Sequence, residues 1–355
     1  MKIRNIHIQH YKRFTDLTIN GLPETAKLVV LVGPNGCGKT SLFEAFNYWY
    51  RLNGYGYISD IIYSLKKDEI IDYNIPDWYV RIANVSVEFF DAVVDKGKES
   101  IQGRFYFRSA YRNEADFSIN SFTKQPDPRK SLKENLMSTD MTVSSNFQRL
   151  VSHAISGVFK KAYSTKPVEE LREELIGRIR DSLHRVFGDL ILLGVGEDPL
   201  NEGSFFFKKG TVEEYHYKNL SAGEKSAFDL ILDLIIKSYS FPNAIYCIDE
   251  PEAHMHTHLQ SLLLKEIYDL IPTDSQLWIS THSLGMLRKA QELEEANPGT
   301  VVFLDFDGFD FDTPVSIHPS TINKTILKRF MELALDDFAA FIAPQHIVFC
   351  EGNPK

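Results

Sequence analysis

Apolar and polar positions alternate at the start of the chain, around Ile3, Ile6 and Ile8 and again around Leu17 and Ile19. That pattern predicts two half-buried strands over 2–9 and 16–20 joined through a turn at 11–14. The continuous run LVVLV at 28–32 predicts a buried strand. It stops in a glycine-rich turn, and apolar residues resume at helical spacing over 39–52. Residues 53–78, rich in Gly, Tyr and Asp, read as an irregular excursion. The stretches 81–90 and 102–108 alternate like antiparallel strands, and QPDPR at 125–129 reads as a loop. From 146 to 186 the apolar residues return to helical period, including Leu150, Ile155 and Val158, then Leu171, Leu175, Ile179, Leu183 and Val186. Strands follow at 190–195, 204–208 and 212–217. A helix opens at Ser221 and runs to about residue 239, where Ser221 with Glu224 three residues on has the form of a capping box. Buried-strand patterns recur at 244–249, 276–280 and 301–305; 320–343 reads as helix and 346–350 as a last strand.

Composition narrows the class without deciding it. With 355 residues and 43% hydrophobic content, the chain can bury a large core, as one big domain or two smaller ones. The N-terminus has no apolar signal core and no apolar run approaches a bilayer span, so a cytoplasmic protein without a membrane partner is expected. The three cysteines, Cys37, Cys247 and Cys350, have no paired spacing, which points to neither disulfides nor a zinc site. A net charge of −9 argues against nucleic-acid binding over the whole surface. It leaves room for a local basic patch at Lys124, Arg129, Lys130 and Lys133, or along Arg172, Arg178, Arg180 and Arg185. The interleaved Glu169, Glu170, Glu173 and Glu174 favour a solvated helix face there. Lys12 and Arg13 are read as surface charge ahead of a role near a ligand.

The chemistry concentrates where apolar runs end. Gly33-x-x-x-x-Gly38-Lys39-Thr40 is a phosphate-loop pattern with a strand before it and a helix after it. Its glycines let successive backbone N–H groups turn toward one anion, and the helix start adds its positive dipole end. The candidate nucleotide contacts are Gly33, Asn35, Gly36, Cys37, Gly38, Lys39, Thr40 and Ser41, with Lys39 reaching the β- and γ-phosphates and the Thr40 hydroxyl on Mg²⁺. The run AIYCIDEPE ends in adjacent carboxylates. Asp249 is placed to hold Mg²⁺ and Glu250 to polarise an attacking water. QLWISTHS ends in a polar tip that offers His282 to the γ-phosphate or the water. His254, His256 and His258 alternate, but with a helix starting near 256 they do not all face one ion.

In this order, GPNGCGKTS, LSAGEKS, YCIDEPEAHMH and WISTHS resemble the Walker A, signature, Walker B and switch-histidine motifs of ABC-type ATPases. The YKRF turn, the long interval before the signature and the DEPE-x-H-x-H continuation are closer to the SMC/RecF/OLD-like branch than to transporter subunits. The resemblance spans about residues 1–310. It implies an α/β fold, a P-loop NTPase ABC-type head with an antiparallel β subdomain and a mainly helical insertion. The implied organisation is an N-terminal lobe over 1–124, a helical insertion over 125–187, a C-terminal lobe over 188–318 and terminal helices over 319–355. It further implies ATP and Mg²⁺ as cofactors and a homodimer or higher homo-oligomer closed through the ATP site. Ser221 and the Gly223 backbone would bind the γ-phosphate in trans, and His256 would lie near the dimer contact. No Q-loop glutamine is evident; Gln102 is a weak candidate. The terminal HIVFCEG resembles the opening strand of a TOPRIM-type metal nuclease module, with Glu351-Gly352 at its tip. The later acidic pair of such a module is missing, so the chain reads as a piece of a longer ATPase–nuclease protein, with a purely structural strand as the alternative. The resemblance thus implies an ATP-hydrolysing switch controlling a nuclease-type effector, fused or separate, in phage defence or DNA repair. A nucleotide-gated scaffold with little turnover and a DNA-tethering repair head are the rival readings.

Overall fold

The computed structural model describes residues 1–56, 61–66, 84–91, 97–110, 117, 125–130, 136, 142–158, 168–196 and 204–321. The helix expected at 320–343 and the terminal strand with Glu351 and Gly352 lie outside the described residues, as do Lys124, Lys133, Cys350 and much of 53–78.

A five-stranded, all-parallel sheet organises the chain. It is built from β3 (Leu28–Val32), β5 (Phe105–Arg108), β9 (Ile245–Asp249), β10 (Gln276–Ser280) and β11 (Val301–Asp305), in the order β11-β3-β10-β9-β5. Strands covered on both faces must be apolar at nearly every position. β3, β9 and β10 are buried throughout. Successive side chains point to opposite faces, so two cores form. Val30, Tyr246, Ile248, Leu277, Ile279 and Phe303 enter one core, shared with α2 (Thr142–Val158), α3 (Val168–Phe187), α4 (Ala222–Lys237), α5 (Thr257–Leu270) and α6 (Leu284–Ala296). Val29, Leu31, Cys247, Trp278 and Leu304 enter the other, against α1 (Lys39–Tyr55). There the Trp278 ring meets Phe46 edge-on at 5.2 Å, and its indole N–H donates to Gln276 Oε1 at 2.9 Å.

A four-stranded sheet closes that second core. β1 (Ile3–Tyr11), β2 (Phe14–Ile19) and β4 (Asn84–Phe89) pair antiparallel, and β12 (Pro314–Ile317) adds to β2 in parallel, a strand the periodicity does not reveal. A small antiparallel sheet, β6 (Leu190–Gly194), β7 (Phe206–Lys209) and β8 (Val212–His216), covers part of the first core.

One expectation is overturned. The stretch 102–108 does not pair antiparallel: its strand β5 lies parallel to β9, with Phe105 opposite Ile245. The alternation marked a strand correctly, but period two carries no information on direction.

The helices α2 and α4 meet β5 through a buried carboxylate. Asp233 accepts from Asn146 Nδ2 at 2.7 Å and from the Tyr106 hydroxyl, and pairs with the Lys237 ammonium. Burial raises this carboxyl, and Lys237 and Arg108 outweigh burial to leave it below the usual carboxylate range. Its stabilisation is therefore present above the ordinary value of about 3.9 and is lost as the pH falls through the lowered one. Asp233→Ala strands Lys237 and Asn146 without their acceptor. We expect it to lower the unfolding free energy by about 3–5 kcal/mol, read from urea denaturation at pH 7.

Candidate functional site

Because β3, β9 and β10 run the same way, the loops after their last residues emerge along one edge of the sheet, where α/β folds carry ligands. Three of the sequence motifs follow these strands directly: the 33–38 loop, Asp249-Glu250 and the 280–282 tip.

In the first loop, the Lys39 ammonium donates to Gly33 O at 2.7 Å and Pro34 O at 2.9 Å, and approaches Cys37 Sγ at 3.6 Å. The loop is thus closed on itself by its own lysine. Gly38 is the N-cap of α1 at φ 102°, where a side chain would also strike Phe14 Cε1 at 2.9 Å. Glycine therefore fits there, and no side chain caps the helix. The first-turn amides and the dipole end are left for an anion. The same packing places the Arg13 Cγ 3.4 Å from where a Gly38 side chain would begin, so Arg13 stands beside the loop. Lys12 does not: it pairs with Glu44 at 2.9 Å and lies over the Tyr63 ring.

Asp249 joins two motifs separated by 209 residues, accepting from Thr40 Oγ1 at 2.8 Å and from the Ser280 hydroxyl. A hydroxyl and a carboxylate in contact form the oxygen donor set that a hard divalent cation takes. Glu250 follows in the left-handed region at φ 44°, its N–H donating to Ser280 O at 3.1 Å. That turn brings its carboxylate to 3.3 Å from His282 Nε2. Burial pushes Lys39 below and Asp249 above their ordinary values, each toward its neutral form. Burial also raises the Cys37 thiol, against the pull of Lys39; this disfavours the reactive thiolate.

The signature turn is built as the sequence predicts locally. Ser221 caps α4, its hydroxyl accepting from Glu224 N while the Glu224 carboxylate accepts from Ser221 N at 2.9 Å; Lys209 holds the other Glu224 oxygen at 2.6 Å. Among the described residues, the side-chain hydrogen bonds of Ser221 and Glu224 stay within this cluster, and Ser221 and Ala222 are exposed. Gly223 has a packing reason as well: a Cβ there would stand 2.6 Å from His254 O. His256 caps α5, its Nδ1 accepting from His258 N at 3.4 Å.

Gln102 is not brought to this edge. It precedes β5, whose parallel direction puts that end away from the loops, and its amide donates to Gly54 O at 2.9 Å. Sequence reasoning also passed over Ser280 and Glu252. The latter accepts from the Thr281 hydroxyl and from His282 N at 2.8 Å. The third acid of DEPE was the available signal.

Fold and motif placement together define a P-loop NTPase head of the ABC type. A sequence model described as the RecF/RecN/SMC N terminal domain matches residues 2–299, and the chain belongs to that family. Among solved structures, it is similar to an SMC head bound to the C-winged helix domain of ScpA, at 12% identity over 92% of this chain and 99% of that one, with TM-score 0.51. It is also similar to an Smc head domain with an extended coiled coil derived from Pyrococcus furiosus, at 12% identity over 95% and 99% of the two chains, with TM-score 0.47. A third is the SMC head domain from Thermotoga maritima, at 11% identity over 91% and 100%, with TM-score 0.40. At such identities the likeness concerns the fold. No match is found among curated proteins. Among the described residues no helix is long and apolar enough to cross a membrane.

Proposed function

We propose that this protein is an ATP-hydrolysing switch whose two states are separate heads and heads engaged around ATP. The observation that carries the proposal is the convergence of the 33–38 loop, Asp249-Glu250 and His282 on one edge of the parallel sheet. In this reading Gly33, Asn35, Gly36, Cys37, Gly38, Lys39, Thr40 and Ser41 hold the phosphates, and Lys39 exchanges its two carbonyl contacts for phosphate oxygens. Thr40 and Asp249 are the residues that would hold Mg²⁺, which when bound neutralises charge on the β- and γ-phosphates. Glu250 orients and polarises the attacking water, with His282 holding its carboxylate. Arg13 stands beside the loop with its guanidinium on Asp312 at 3.4 Å.

A second copy completes the site. Ser221 and the Gly223 backbone sit at the start of a 16-residue helix whose cap is exposed. In a head-to-tail pair that helix end faces the γ-phosphate of the other copy and stabilises charge there. ATP shifts the equilibrium by binding the engaged state better than the separate one. The switch controls an effector, and the terminal sequence CEG makes a nuclease-type effector in phage defence or DNA repair our choice.

The placement of Gln102 away from the site favours a second reading, a nucleotide-gated scaffold with little turnover. The DNA-tethering head gains less support. Arg180 pairs with Glu173 and Arg185 with Glu266, so these two do not join a free basic face.

The test is the mass of the particle in solution with and without ATP and Mg²⁺. The wild type is expected to move from a smaller to a larger species on ATP addition and to return as ATP is consumed, with Glu250→Gln held in the larger one. A mass that never changes in either protein overturns ATP-driven engagement, and a wild type that enlarges on ATP and stays there like Glu250→Gln favours the scaffold reading.

A further inference from the structure

Resting on the ATPase reading above, we infer that Glu252 is a positioning residue, the strut that fixes His282 against Glu250. Glu250 and His282 belong to different strand ends, and besides the Ser280 hydroxyl bond to Asp249, two backbone N–H groups tie those ends together. One is Glu250 N–H to Ser280 O at 3.1 Å. The other runs the opposite way, from His282 N–H to Glu252 Oε1 at 2.8 Å. The same Glu252 oxygen accepts from Thr281 Oγ1 at 2.5 Å, and Thr281 Oγ1 in turn accepts from Ser283 N–H at 2.9 Å. Ser283 caps α6 and donates its hydroxyl to Gln260 of α5, whose amide reaches Met255 O at 2.8 Å. The tip 281–283 is therefore tied to the turn that carries Glu250 and to two helices, and Glu252 is where those ties meet.

Burial makes the choice of a carboxylate informative. Glu252 is 8% exposed, and among the described residues its second oxygen is buried without a hydrogen-bond partner. A core position selected only for packing has no use for an acid that leaves one oxygen unsatisfied, because that atom loses its hydration and regains nothing. What Glu252 supplies and an apolar residue does not is one acceptor aimed at the backbone N–H of His282. Burial raises its carboxyl, and glutamine in its place keeps the accepting oxygen. With the acceptor removed, the His282 ring loses its fixed approach of 3.3 Å to Glu250. Small misplacements of this kind slow the chemical step more than binding.

The experiment compares Glu252→Met, which fills the volume without an acceptor, with Glu252→Gln, which keeps the oxygen, in steady-state ATP turnover. Glu252→Met is expected to lose about 10- to 100-fold in kcat with KM for ATP unchanged within about twofold. Glu252→Gln is expected to stay within about threefold of wild type, and Glu252→Met with His282→Ala to be no slower than His282→Ala alone, as for residues acting as one unit. Full turnover in Glu252→Met, equal damage in Glu252→Gln, or additive effects in the double variant each overturn the inference. Glu252→Asp, which withdraws the oxygen by one methylene, reads the same loss should the methionine variant fail to fold. Failure of the ATPase reading is separable: wild type would then show no turnover, or Lys39→Ala would turn over as fast as wild type.

Discussion

Glu250→Gln is expected to lower ATP turnover roughly 10²–10⁴-fold, the range assigned to a positioned general base, while leaving nucleotide binding intact. The amide keeps the side chain's size and the backbone bond from Glu250 N–H to Ser280 O, so the strained turn at φ 44° is retained. What it loses is the basic oxygen that faces His282 at 3.3 Å. The expected signature is kcat falling with the affinity for a fluorescent ATP analogue unchanged. Turnover at the wild-type rate would remove Glu250 from the mechanism and with it the proposed use of the Asp249-Glu250 pair.

The second large effect lies on binding. Lys39→Ala removes a buried ammonium that closes the loop onto Gly33 O and Pro34 O and is proposed to reach the phosphates. Truncating one partner of a buried charge pair typically costs about 2–5 kcal/mol, or roughly 30- to several-thousand-fold in Kd. The same fluorescent titration measures it. Affinity within about threefold of wild type would show that the lysine does not touch the nucleotide. The two variants separate the rival readings as well. A scaffold keeps its function in Glu250→Gln and loses it in Lys39→Ala, whereas a switch that must reset loses it in both.

Much of this site is legible in the chain because its signals are local. Gly38 takes a left-handed conformation between a buried strand and a helix, and the spacing to Lys39 and Thr40 is fixed along the chain. The Ser221–Glu224 capping box forms within four residues and appears as the sequence predicts. Strand β11 falls on 301–305 as read, and β3 on 28–32, because continuous apolar runs of that length have few alternatives. The ABC-type head implied by four ordered motifs is the fold observed, with the family match spanning residues 2–299.

The rest needed pairing partners far along the chain. Nothing in FYFR says that β5 lies parallel to β9, since alternation is the same for either direction; the partner Ile245 decides it, and that choice takes Gln102 out of the site. Strand β12 is four residues with two buried, too short to stand out until β2 supplies its edge. Glu252 reads as one more acid in DEPE until burial, Thr281 and His282 N–H give its oxygen a purpose. The sequence by itself determined most of the described strands and long helices and which residue types stand at their ends, because dihedral preference and burial period act over a few residues. The tertiary structure alone decided direction, adjacency and the contact of Thr40 with Asp249 across 209 residues. Those depend on which buried faces and polar groups complete one another, a property of pairs distant in sequence that no single stretch carries.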